Sequence, residues 1–344
     1  MTPWQRLVGL PGVVLLDLVR YRRALARSGP GHCSENDGWI SVCNRIERLV
    51  PEPGQRGVRC DWLWGSTLHA PLVLPSLARQ LMRAALSEWP IAFADEPPRA
   101  LGAPKVSFIF AHSGADRLPQ LRLTIRSIFA QHVVPVEVIV VDESPRPLIA
   151  QMPEGIVYRH LAKHEFLQPW HKTRAYNVGA TLARSDILVF QDGDICVPRR
   201  YAEEVVHAIE DRGFAAASLQ RFLFYLDPSG ARQVELMETF DDSLTPEEVV
   251  QNWKGGTIAI RRDAFDAIGG FDEAFVGWGG EDAEFYDRCG EVGHCRLGYL
   301  PFVHLWHPPQ PSKSGVEREM NVEFFRRKME IPRSQRIGAL RQIP

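Results

Sequence analysis

Three short stretches hold side chains whose types and spacing can do chemistry. Gln191-Asp192-Gly193-Asp194 sets two carboxylates one residue apart, Glu281 and Asp282 are adjacent, and His304 and His307 stand three positions apart. Carboxylates as close as Asp192 and Asp194 repel each other unless a cation lies between them. A hard divalent ion carrying phosphate oxygens meets that need, and Gly193 lets a ligand approach the backbone. An Asp-rich turn is the alternative. His304 or His307 alone would be an ordinary packed or surface histidine. Beside the Asp pair both become candidate metal ligands, and imidazole joined to carboxylate suits Mn²⁺ or a related ion better than calcium. Glu281 and Asp282 follow Gly277-Trp278-Gly279-Gly280. On the first turn of a helix they are favoured by its dipole and expected to stay ionised near neutrality. Such a carboxylate beside Trp278 suits a general base facing a hydroxyl; the alternative is a helix-capping cluster with a core tryptophan.

These residues need a frame. The apolar run at 187–190, bounded by turn residues, reads as a buried strand ending at the Asp pair. Strands at 106–110 and 137–141 precede it, with one helix through Leu121, Ile125, Ile128 and Phe129 and another over 172–183. Strand, helix, strand, helix predicts an α/β fold with a mostly parallel sheet, whose ligands gather at the carboxyl ends of the strands. Residues 111–114, Asp142 and the Asp192/Asp194 pair lie at three such ends and point at one crevice. A helix over 199–210 and strands at 214–218 and 257–260 follow. A helix through Phe285, Tyr286, Cys289 and Val292 comes next, then an apolar run entering His304. The interval 219–250, with Asp241-Asp242, reads as a loop-rich, acidic, solvated face.

With 344 residues, 45% of them hydrophobic, the chain can bury a real core. A net charge of −2 gives no bulk attraction to nucleic acid. The six cysteines include no Cys-x-x-Cys pair, and reduced thiols fit them better than a zinc site from His32, Cys33, Cys43 and Cys60. Residues 13–16 are too short an apolar run to span a bilayer. Arg20, Arg22 and Arg23 precede the cleavage-like Ala24-Leu25-Ala26, where a signal peptide is uncharged, so the expected location is cytoplasmic. The N-terminal segment is expected to be a helix packed on its own domain; peripheral membrane association as a basic amphipathic helix is the alternative. Residues 1–100, with a helix over 72–89 and loops at 51–54 and 95–98, form an N-terminal accessory region without an assigned role.

The ordered series of residues 106–110, Val140-Val141-Asp142, Arg174-Ala175-Tyr176-Asn177-Val178-Gly179, Gln191-Asp192-Gly193-Asp194, Lys254-Gly255-Gly256, Gly277-Trp278-Gly279-Gly280-Glu281-Asp282 and His304-x-x-His307 resembles nucleotide-sugar glycosyltransferases of the GT-A fold. The likeness is greatest to the β-1,4-galactosyltransferase type, a family 2-type group with bacterial relatives. Polypeptide N-acetylgalactosaminyltransferases and chondroitin-polymerising enzymes share much of the pattern. The resemblance covers residues 104–325 as a catalytic domain and leaves 326–344 as a C-terminal tail. It implies a Rossmann-like sheet and metal-dependent transfer of a hexose or N-acetylhexosamine, galactose-type favoured. The implied donor is a UDP-sugar and the acceptor a glycan, glycolipid or other hydroxyl. Mn²⁺ or Mg²⁺ would be held by Asp194 with His307 and His304, and Asp192 would reach the ribose or the metal's water shell. Asp142 would contact uracil or ribose, Arg174 the base or diphosphate, and Gly255 and Gly256 the donor sugar. Trp278 would stack on a sugar ring, Glu281 would bind sugar hydroxyls, and Asp282 would take the acceptor's proton. Retaining relatives tend to carry Asn where this chain has Asp282, which favours inversion.

The loop 111–117 departs from the family in lacking the arginine-rich pattern of animal galactosyltransferases, and Arg117 is the candidate there for gripping the nucleotide. The tail, anchor and stem of the Golgi enzymes have no counterpart, so a soluble bacterial enzyme of polysaccharide, glycolipid or natural-product synthesis is expected. Rival expectations are a retaining polypeptide N-acetylgalactosaminyltransferase-like enzyme, a non-catalytic nucleotide-sugar-binding module and a metal-dependent nucleotidyltransferase.

Overall fold

Strands Val106–His112 and Val136–Asp142 are buried along their whole length, because apolar clusters cover both faces of the sheet they share. The computed structural model describes residues 2–28, 36–60, 66–97, 102–162, 170–252, 255–309 and 316–342. A seven-stranded sheet runs in the order His294–Cys295, Ala216–Ala217, Thr257–Arg261, Ile187–Gln191, Val106–His112, Val136–Asp142 and Val157–His160. The last four are parallel, so their carboxyl ends open on one crevice. Thr257–Arg261 runs antiparallel to Ile187–Gln191, with Thr257 opposite Gln191. That reversal brings Gly256 to the same crevice. Helices Leu118–Phe129 and Lys172–Leu182 occupy their expected places between the strands.

A second sheet holds Ser66–Thr67, Glu248–Gln251, Gln220–Tyr225, Leu300–His304 and Ile195–Cys196. It corrects the expectation of a solvated loop over 219–250. Strand Gln220–Tyr225 is buried for all but its last residue, and a helix spans Pro228–Met237. The polar residues that disguised this strand are satisfied inside the protein. Arg221, fully buried, donates to the carbonyls of Ile40 and Val42 and to the side chain of Asn252. The N-terminal region supplies the edge strand Ser66–Thr67, and Trp39, Leu77, Leu81 and Trp89 lie in the same core as Phe222 and Phe302. The helix expected over 72–89 is two helices, His69–Val73 and Pro75–Glu88, since a proline keeps the residue before it, Leu74, out of helical geometry. Cys43 and Cys60 are buried; His32 and Cys33 lie outside the described residues.

The C-terminal end differs from expectation as well. The boundary at 325/326 falls inside helix Val316–Glu330. The expected tail is tied down through helix Arg333–Leu340, where Arg336 reaches Glu284 at 2.6 Å and Asp287 at 2.5 Å. At the other end Pro3–Gly12, the π-helical turn Val13–Asp17 and Leu18–Ala26 form one helical rod. It packs by one face, as expected of a helix resting on its own domain. Among the described residues no helix is long and apolar enough to cross a membrane.

Candidate active site

Strand pairing explains why residues more than a hundred positions apart meet. His304 lies opposite Ile195 in an antiparallel pair, and the Leu305 N–H donates to the Asp194 carbonyl at 2.8 Å. His304 therefore stands beside Asp194, and the turn after it brings His307 to the same carboxylate. His307 Nε2 is 3.1 Å from Asp194 Oδ2, and His304 Nε2 is 3.7 Å from Oδ1. One ligand atom from each of the three lies within 4.8 Å of the others. Nδ1 of His307 sits 2.8 Å from the Pro308 carbonyl, which assigns the proton of the neutral ring to Nδ1 and turns the Nε2 lone pair toward Asp194. Two acceptors facing each other call for a cation between them or a second proton on the ring. Burial pushes the Asp194 carboxyl up, but His304, His307 and Arg117 outweigh it and hold the group well below the usual carboxylate range. An ionised carboxylate with two imidazoles fits Mn²⁺ or a related divalent ion.

A second charged centre forms around Lys172, the first residue of its helix. Its Nζ is 2.9 Å from Asp192 Oδ1, 3.2 Å from Asp282 Oδ2 and 3.7 Å from Glu281 Oε1. Tyr176, one turn on and therefore on the same face, donates to Asp192 at 3.2 Å. The Asp192 and Asp282 carboxylates consequently lie within about 6 Å of each other. Burial disfavours the ammonium, but Asp192 and Asp282 hold it charged, well above the ordinary lysine range. Asp282 goes the other way. Burial, helped by Glu281 and Asp192 and opposed by Lys172, carries it up to about 7. This corrects the expectation that Asp282 stays ionised at the helix start: a dipole contribution of about 0.3–1 kcal/mol does not offset burial among other carboxylates. At neutral pH Asp282 is poised to accept a proton.

The walls of the cleft are glycine-shaped. Gly256 has φ +80°, a side chain there would strike Ile195, and its carbonyl accepts the Asp192 N–H at 2.7 Å. Gly280, at φ +90°, caps helix Glu281–Cys289 where a side chain would meet Phe325. Glu281 accepts the Gly279 N–H at 3.0 Å. Trp278 lines the cleft with the Arg318 guanidinium 5.5 Å from its ring, and Asn321 donates to the carbonyls of Val276 and Trp278 at 2.8 and 3.1 Å.

Asp192, Asp194, Gly256, Trp278, Glu281, Asp282, His304 and His307 thus share one cleft with Lys172 and Arg117. Two expected residues lie elsewhere. Asp142 is fully buried, with Oδ1 accepting from the Ser144 N–H and hydroxyl and Oδ2 from the Tyr158 hydroxyl. Its carboxylate fixes the turn after its strand and is not among the groups lining the cleft. Arg174 is exposed, because helical spacing that turns 172 and 176 inward turns 174 outward. The anion-facing guanidinium is Arg117, whose Nη1 donates to Asp194 at 3.0 Å. Gly255 stands one residue behind the cleft wall, and Lys254 lies outside the described residues. Sequence reasoning gave Lys172 and Tyr176 no role. Their polar heads one turn apart, at the start of a helix pointing to the same strand ends as Asp192, were the available signal.

Residues 239–302 match a family model described as the N-terminal domain of galactosyltransferase, and residues 115–269 match one described as glycosyl transferase family 2. The inactive polypeptide N-acetylgalactosaminyltransferase-like protein 5 of Macaca fascicularis is 29% identical over 180 residues, covering 39% of this chain and 40% of that protein. The chain therefore spans less than half the length of this curated relative. Among solved structures, the mannosyltransferase PcManGT from Pyrobaculum calidifontis in complex with GDP-Man and Mn²⁺ is similar over 77% of this chain and 80% of that one, with a TM-score of 0.43 and 14% identity.

Proposed function

We propose that this chain is a nucleotide-sugar glycosyltransferase of the GT-A fold, a reading that the two family-model matches support, and that it moves a hexose or N-acetylhexosamine from a UDP-sugar to a hydroxyl of a glycan or glycolipid. The transfer inverts the anomeric centre and depends on a divalent metal. One observation carries this reading: two unlike centres share a cleft, Asp194 with His304 and His307 in one, Asp282 with Lys172 in the other. Asp194, His304 and His307 would hold Mn²⁺ or Mg²⁺, which would supply positive charge against a departing diphosphate. Arg117, on Asp194, adds fixed charge at the same place.

The acceptor oxygen attacks the anomeric carbon while the bond from that carbon to the diphosphate oxygen breaks. The bonding pair leaves with the diphosphate, and the acceptor's proton goes to Asp282. Lys172 fixes the direction in which Asp282 points, Glu281 orients hydroxyls, and Trp278 offers a ring face to a sugar. Inversion needs base and leaving group on opposite sides of the sugar. Separate centres for the two, linked through Lys172 and Asp192, suit that geometry. A second reading is a retaining, polypeptide N-acetylgalactosaminyltransferase-like enzyme; the relative at 29% identity bears that kind of name but is itself described as inactive.

A panel of UDP- and GDP-sugars assayed for nucleotide release, with and without Mn²⁺, tests the donor and the metal. Mn²⁺-dependent release of UDP is expected; release confined to GDP-sugars, or indifferent to metal, refutes those parts. NMR of the product's anomeric linkage separates inversion from retention.

A further inference from the structure

We propose that the outer face of the N-terminal helical rod is a docking surface for membranes that carry anionic lipid headgroups. The rod buries Val13, Asp17, Tyr21 and Ala24 against the protein. Away from these it presents Trp4, Leu7, Val8, Leu15, Leu16 and Val19, all exposed, Trp4 by 71% and Leu15 by 73%. A helix apolar on both faces ordinarily has both covered, and a contiguous apolar surface of this length marks an interaction site.

Charge sets the chemistry of the partner. Residues 2–28 contain Arg6, Arg20, Arg22, Arg23 and Arg27 against the single carboxylate Asp17, a local charge of +4 in a chain of net charge −2. Asp17 is buried and faces Arg45 at 3.1 Å and Arg20 at 3.8 Å. Arg20, Arg23 and Arg27 line a recess of ≈ 300 Å³ at the end of the rod, where Asp37 pairs with Arg27. The loop carrying Arg45 adds Ile46, 95% exposed. Apolar side chains bordered by arginines, with a tryptophan at one end, are the composition of a helix lying in the headgroup layer. A second copy on the same face would set two groups of arginines together. The surface is a helical ridge, and a lipid layer accommodates a ridge without a matching groove. None of this depends on the identity of donor or acceptor.

Co-sedimentation of the full chain with vesicles of phosphatidylglycerol and phosphatidylcholine in equal parts, against phosphatidylcholine alone, tests the proposal. Binding to the mixed vesicles is expected, and it weakens as ionic strength rises from about 0.1 to 1 M. Leu15→Glu with Leu16→Glu lowers partitioning at least about a hundredfold. Arg22→Glu with Arg23→Glu lowers it at least about tenfold. Both double variants keep the circular dichroism of the parent. Three results each overturn the proposal: no co-sedimentation of the parent chain, equal binding to both vesicle types, or unchanged binding by folded variants. A dimer abolished by the leucine substitutions, in a chain that ignores vesicles, overturns it in favour of self-association.

Discussion

Replacing Lys172 by methionine keeps the reach of the side chain and removes the ammonium that touches Asp192, Asp282 and Glu281 together. At 3.2 Å from Asp282, that ammonium makes a charge-assisted hydrogen bond worth about 1.5–3 kcal/mol. About 1.4 kcal/mol corresponds to one pH unit, so its loss moves the acid limb of kcat/KM upward by about 1–2 pH units. The direction follows from the role. Asp282 accepts a proton only when ionised, so activity rises with pH through its pKa, near 7 in the parent. The variant reaches the same ionised fraction only at higher pH. Near pH 7 about half of the parent carries the ionised form and about 1–10% of the variant does, a fall of about 5–50-fold that is largely recovered by about pH 9. Coupled measurement of UDP release across that range reads the limb directly. An equal loss at every pH refutes the reasoning, because it assigns Lys172 to contacts or folding and not to the base.

Three further outcomes are expected. Asp194→Ala and His307→Ala each lower Mn²⁺-dependent nucleotide release by about 10³-fold or more, and calorimetric titration shows the loss of Mn²⁺ binding. Asp282→Asn keeps UDP binding and lowers transfer by about 10²–10⁴-fold; transfer at the parental rate rejects Asp282 as the base. Arg221→Met leaves the Ile40 and Val42 carbonyls without their donor inside the core and costs about 2–4 kcal/mol, read as a lower denaturant midpoint at unchanged metal affinity.

The parallel strands and the carboxylates behind them were legible because each chemical group follows an uninterrupted apolar run: Asp192 and Asp194 after 187–190, and His304 at the end of Leu300–His304. Such runs announce both a strand and its end. Strand Gln220–Tyr225 was not legible, since Gln220 and Arg221 make its start look solvated, and the two carbonyls that accept from Arg221 lie about 180 positions upstream in sequence. Lys172 was hidden for the same reason, its meaning residing in partners 20 and 110 positions away. The surroundings of Asp142 were not legible, because a carboxylate at a strand end can face a ligand or its own turn with identical local sequence. The exposure of Arg174 was not legible either, because the resemblance fixes a stretch of helix but not its rotation. The pKa of Asp282 was misjudged because the helix dipole is visible in sequence and burial is not.

The tryptophan wall of the cleft is held from outside the strand framework. Asn321, on helix Val316–Glu330, grips the backbone at Val276 and Trp278, whereas Asp192, Asp194, His304 and His307 stand on or beside strands. On the proposed reading, selection could therefore rewrite that late helix and retune which molecule rests against the indole, while the cradle for the leaving nucleotide passes unchanged from one variant to the next.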